Sequence, residues 1–263
     1  MKKRIALIGY GALGKIFLNV YREKLTEDYE LSGIYTVPAP ETQDGWHFYD
    51  DIDALLLDKP DFVVEFAGAG AVRAYGEKIL ESGCNLVIAS IGALADGELY
   101  ARMTEAAKKN GVRLHLPSGA IGGFDLLRTI SLAGTRAVSI ESRKAPAGLN
   151  GAPYLEGRAL SEEQEELVFE GSAREAIAAF PKNVNVAVAT AVAAADVDSA
   201  KVSVRSVPGL KRNTHTVRAA CDFAEVCLEI ASIPDPANPK SSTTTAWSVA
   251  ALLKNLASPV QFF

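Results

Sequence analysis

Apolar positions in the first 120 residues follow two alternating rhythms. Unbroken or nearly unbroken apolar runs at 3–8 (KRIALI), 29–37 (YELSGIYTV), 61–68 (DFVVEFAG), 85–90 (NLVIAS) and 112–117 (VRLHLP) read as strands. Between them the spacing predicts helices. The first covers about 13–25, and a short one in DDIDALLLDKP stops at Pro60. Another covers 71–83 and ends at Gly83. A fourth covers 95–111, with acid near its start, lysines near its end and a glycine after it. Strands alternating with helices of about ten to fifteen residues predict a parallel sheet covered on both faces.

The rhythm changes near residue 122. A helix is predicted at 125–134 and an alternating strand at 137–146, followed by a Gly-, Pro- and Glu-rich excursion over 147–165. A strand at 165–171 leads into a helix whose Ser172 and Glu175 have capping-box spacing. The run at 183–195 (NVNVAVATAVAAA) is a nearly all-apolar helix. Strand-like runs follow at 201–207, 213–220 and 223–231, and 241–257 is a final amphipathic helix. The fold class expected is α/β: a doubly wound parallel domain over 1–121, completed by the C-terminal helix within 241–263, plus an α+β domain over 122–240. The sheet of the second domain is expected to be mixed or antiparallel, with the Ala-rich helices on one face.

Composition narrows the possible functions. The 263 residues suffice for one large domain or two modest ones. A net charge of −5 argues against general affinity for nucleic acid or anionic lipid. Cys84, Cys221 and Cys227 lack metal or redox spacing, so neither a disulfide framework nor a metal site is expected. The basic, apolar N-terminus is interrupted by three glycines and has no cleavage pattern, and no run is long enough to span a bilayer. A cytoplasmic protein is expected.

Chemistry enters at IALIGYGALG. Gly9, Gly11 and Gly14 form G-x-G-x-x-G between a strand and a helix, the context that makes this pattern a dinucleotide site. The loop residues Tyr10, Ala12 and Leu13 belong to the same cradle. Gly9 permits the turn, Gly11 lets a pyrophosphate approach, and Gly14 lets the helix pack on the strand. The acidic residue that would bind the ribose is absent at the end of the second strand, which reads Tyr35, Thr36, Val37. NADP is therefore expected to be accepted as well as NAD. Small residues after the third and fourth strands, Ala67 and Ser90, leave room for ribose and nicotinamide.

The chain has three histidines. In KRNTHTV (211–217), alternation puts Asn213, His215 and Val217 on one face and Arg212, Thr214 and Thr216 on the other. His115 and His47 read as locally bonded or packed residues.

The motifs LPSGAIGGFD (116–125), FPKNVNVA (180–187), RNTHTV (212–217), NPKSSTTTAWS (238–248) and GALADGELY (92–100) together resemble the L-aspartate dehydrogenase family over nearly the whole chain. The resemblance implies oxidation of L-aspartate to iminoaspartate, which water converts to oxaloacetate and ammonia or which feeds pyridine nucleotide biosynthesis. It implies that Ala120 and Asn185 line the dinucleotide site and that His215 is the catalytic histidine. It also implies a homodimer or higher homo-oligomer. Chemically, a histidine that titrates near neutrality suits acid–base work, and an asparagine can hold an amine or amide. Asn213, Lys182 and Lys240 are candidate substrate ligands, with Arg212 and Arg143 as further cations for the carboxylates. Other oxidoreductases of this type fit less well. The E-K-P of sugar dehydrogenases is replaced by SIGAL, and the paired histidines of cyclic-imine reductases are absent. A transcriptional dinucleotide sensor would need a basic DNA-binding module, which is not seen.

Overall fold

The strand β1 (Lys3–Ile8) is apolar on both sides, as a central parallel strand must be, and Ile5 to Leu7 are fully buried. The structure is a computed structural model that describes residues 2–40, 45–181, 184–235 and 238–262; for 234, 235 and 238–241 only the backbone is described. The chain separates into two compact units. The first is Met1–Pro117 with Thr245–Phe263, and the second is Ser118–Thr244.

In the first unit, β1 is followed by α1 (Ala12–Lys24), β2 (Tyr29–Tyr35), α2 (Ile52–Leu57), β3 (Phe62–Glu65), α3 (Ala69–Glu81), β4 (Asn85–Ile88), a 3-10 turn (Ile91–Ala95), α4 (Gly97–Asn110) and β5 (Leu114–His115). Both ends of α4 have a local cause. Asp96 caps α4 by accepting from the Leu99 N–H at 3.0 Å, and Gly111 closes it in the left-handed region at φ 66°. The strands are parallel in the order β2-β1-β3-β4-β5. The chain therefore changes direction between β1 and β3, and ligands bind at the carboxyl ends of strands at such a switch point.

The second unit contains α5 (Phe124–Ala133), β6 (Ala137–Lys144), α6 (Pro146–Leu149), a 3-10 turn (Pro153–Leu155), β7 (Glu166–Ser172), α7 (Ala173–Ala179), α8 (Asn185–Ala194), β8 (Lys201–Ser206), β9 (Asn213–Ala220), β10 (Glu225–Ser232) and the hairpin β11 (Pro234–Asp235) with β12 (Asn238–Ser242). Ser172 and Glu175 form the capping box in full. The sheet order is β10-β9-β6-β8-β7. It is mixed: β6 and β8 run parallel, and the other pairs are antiparallel. The parallel pair follows from the connection, because β7, α7 and α8 carry the chain across before β8 begins. The α8 helix is apolar on every side and buried almost throughout, so it serves as core rather than surface. Its one hydroxyl, Thr190 Oγ1, donates back to the Val186 carbonyl at 2.9 Å.

The last helix, α9 (Thr243–Ala257), packs Ala246, Val249, Ala250 and Leu253 into the first unit's core beside Ile5, Leu7, Phe17 and Tyr29. The Tyr29 hydroxyl donates to the Leu253 carbonyl at 2.7 Å, which satisfies a polar group inside that core. Among the described residues no helix is long and apolar enough to cross a membrane.

Candidate active site

In the first unit a cleft of about 620 Å³ opens at the carboxyl ends of β1, β2 and β3, lined among others by Gly9, Tyr10, Gly11, Thr36, Phe66 and Ala67. The three glycines each meet a different demand. Gly9 sits at φ +100°, and a Cβ there would lie 2.8 Å from the Ala67 nitrogen and the Phe66 carbonyl carbon. A Cβ on Gly14 would lie 2.3 Å from the Gly9 oxygen, so only glycine lets α1 approach the loop so closely. Gly11 faces open space and caps α1 without a side-chain hydrogen bond. This leaves the free N–H groups of the first helical turn for an anion. Ala12 begins the helix, and Leu13 packs against the core. A dinucleotide fits this cradle.

At the far end of the cleft Thr36 Oγ1 accepts from the Tyr10 N–H at 3.3 Å, and the Tyr35 and Tyr75 hydroxyls meet at 3.4 Å. Lys15, exposed at the mouth, places its ammonium 4.8 Å from the centre of the Tyr10 ring. No carboxylate is among the described residues that line the cleft.

Behind this cleft stands a residue that sequence reasoning does not single out. Glu65, at the end of β3, is 2% exposed. Its Oε1 accepts from the Gly68 N–H at 2.6 Å and from the Ser90 hydroxyl at 2.9 Å, and Oε2 accepts from the Ser90 N–H at 3.1 Å. Burial pushes its pKa up, and these donors oppose the shift. One carboxylate thus ties the loop after β3, which carries Ala67, to the end of β4. Ser90 is buried, with its hydroxyl committed to Glu65.

In the second unit, β9 alternates as the sequence predicts: Asn213, His215 and Val217 are buried, and Thr214 and Thr216 lie on the more open face. β6 runs beside it with Ser142 opposite His215, and Ser142 Oγ and His215 Nδ1 share a hydrogen bond of 2.9 Å. That contact fixes the ring. Burial, reinforced by the positive charge of Lys144, lowers the His215 pKa to about 3, so the imidazole is neutral. Lys144 is itself buried, and burial lowers its pKa to about 8. Asn185 is the first residue of α8, and Ala120 is buried in the turn before α5.

Known proteins resolve what these two constellations belong to. The family described as "Aspartate dehydrogenase, C-terminal" matches residues 125–256, and "Homoserine dehydrogenase, NAD binding domain" matches 9–117. An L-aspartate dehydrogenase of Methanosarcina barkeri is 40% identical over 209 residues, 78% of this chain and 77% of its own. One from Acinetobacter baumannii is 32% identical over 98% of this chain and 99% of its own. The chain belongs to the L-aspartate dehydrogenase family. The crystal structure of the Thermotoga maritima aspartate dehydrogenase matches all of this chain and all of its own at a TM-score of 0.81 and 27% identity. An archaeal homoserine dehydrogenase with NADPH, at a TM-score of 0.59 and 14% identity over 97% of this chain and 98% of its own, shares the fold.

As a member of the aspartate dehydrogenase family, the chain is an NAD(P)-dependent amino-acid dehydrogenase. The structure brings Gly9, Tyr10, Gly11 and Ala67 to one cleft, and Asn213 and His215 to one sheet face. It does not bring Arg143 to that face. Arg143 points the other way and pairs with Glu165 at 2.7 Å, and Arg212 is exposed ahead of β9. Lys182 and the Lys240 side chain lie outside the described residues. Besides Glu65, sequence reasoning missed Ser142 and Lys144. The signal was present in AVSIESRK, where Ser142 and Lys144 are in phase with the apolar Val138 and Ile140.

Proposed function

We propose that this chain oxidises L-aspartate to iminoaspartate with NAD or NADP, and that His215 is the acid–base group. The observation that carries the reading is a neutral, buried imidazole, oriented by Ser142 and sharing its face with Asn213. A bound dinucleotide supplies the acceptor for the hydride that leaves Cα. The chain's own part is proton transfer and positioning. A neutral imidazole can take the proton that the substrate ammonium must lose before the C=N bond forms. The same ring, once protonated, can return a proton when water adds to the imine and ammonia departs, which gives oxaloacetate. Asn213, on the same face, supplies amide donor and acceptor groups for the substrate's polar atoms. Delivery of the imine to pyridine nucleotide biosynthesis is the metabolic use we propose, and a homo-oligomer the proposed assembly.

The absence of a carboxylate among the described cleft residues supports use of both cofactors, because nothing there repels a 2′-phosphate. The experiment is to follow the reduced-nicotinamide absorbance after adding L-aspartate, with NAD and with NADP. Growth of absorbance with both is the expected result. No turnover with either contradicts the reading.

A further inference from the structure

The inward face of the second sheet is divided along its length. At one end it is apolar: Val138 and Ile140 of β6, Val202 and Val204 of β8, Val217 and Ala219 of β9 are all buried. At the other end the same three strands present Ser142, Lys144, Ser206, Asn213 and His215, all buried. Lys144 stands two residues from Ser142 and beside Ser206 in the strand register. It is close enough to His215 for its charge to act on the ring. It is only 4% exposed. Among the described residues it is the one cation of this inward face.

Placing an ammonium in such a position is costly, and a hydrophobic side chain of the same length would pack with less penalty. Buried ionisable groups beside an acid–base residue cluster at functional sites. Among the described residues of this face, the rest of the polar end, Ser142, Ser206, Asn213 and His215, carries no formal charge. One of them, Ser206 Oγ, is fully enclosed and has no hydrogen-bond partner among the described residues. The proposed substrate is a dicarboxylate, which needs cations. Arg143, the adjacent residue in sequence, is held on the opposite face by Glu165.

We propose that Lys144 receives one of the substrate's two carboxylates on the face that carries His215. This deepens the aspartate reading and rests on it. It also gives the neutral histidine a means of activation. The incoming carboxylate offsets the positive charge that disfavours protonation of His215, so the ring becomes a better proton acceptor when substrate is bound.

The test compares Lys144→Met with the wild-type chain in the aspartate assay and in competitive inhibition by succinate. Methionine keeps the length and removes the charge, so packing is preserved. The KM for L-aspartate and the succinate inhibition constant are expected to rise together by about 100-fold or more, with a much smaller change in kcat. Unchanged affinity for the reduced dinucleotide is the folding control. Lys144→Ala, with ethylammonium added back, is the second variant, and recovery of aspartate turnover is expected. An aspartate KM within about threefold of wild type, or a loss confined to kcat, overturns the role of Lys144 while the aspartate reading stands. Failure of the wild-type chain to oxidise aspartate removes both.

Discussion

We propose that the side chain at Thr36 governs cofactor choice. It directly follows β2, where a dinucleotide site of this kind commonly carries a carboxylate, and its Oγ1 accepts from the Tyr10 N–H at 3.3 Å. An aspartate could accept the same hydrogen bond and would add a negative charge. Thr36→Asp is therefore expected to lower the NADP-to-NAD ratio of kcat/KM by about tenfold or more through charge repulsion. Steady-state kinetics with both cofactors measures it, and an unchanged ratio would show that the 2′ position lies elsewhere. The glycines of the loop were legible from sequence because each has a steric job that no other residue performs. Lys15, placed by the structure at the cleft mouth, was not, since an exposed lysine on a helix carries no distinguishing pattern.

At the scale of elements, the alternation along β9 is readable in the sequence and assigns His215 to the buried face. The matching alternation in β6 is equally visible, yet it hides Lys144, because a lysine next to an arginine in sequence resembles an ordinary solvated pair. The parallel pairing of β6 with β8 is not readable. It depends on a crossover through β7, α7 and α8 that no local pattern encodes. Glu65 is hidden for a related reason. A carboxylate closing an apolar strand acquires meaning only when the loops it joins, which are distant in sequence, are seen together. Its role makes a prediction about those loops. In Glu65→Gln the amide nitrogen would face the Ser90 N–H, donor against donor. We expect a loss of about 1–3 kcal/mol of stability and a raised KM for the dinucleotide. Denaturant melts and cofactor titrations check this, and wild-type values in both would refute the coupling of the two loops.

At the scale of the whole molecule, each unit contains a histidine held neutral by burial. His215 has a pKa of about 3 and His115 one of about 4, both below the ordinary value of 6.5. In a folded chain with lowered histidine pKa values, the unfolded state binds more protons below the ordinary value. Stability is thus full above about pH 6.5 and falls as pH drops towards the folded values. The His215 share of that loss is about 1–2 kcal/mol between neutrality and about pH 5, so His215→Asn should flatten the pH dependence of the denaturant midpoint. An identical slope in wild type and variant would show that the ring is not held neutral.

We propose that this same buried ring moves the proton in aspartate oxidation. This role is tested most directly by the kcat of His215→Ala for L-aspartate, in a protein shown to bind dinucleotide as the wild type does. A fall of about 100-fold or more is expected. A variant that keeps most of its turnover number would contradict it.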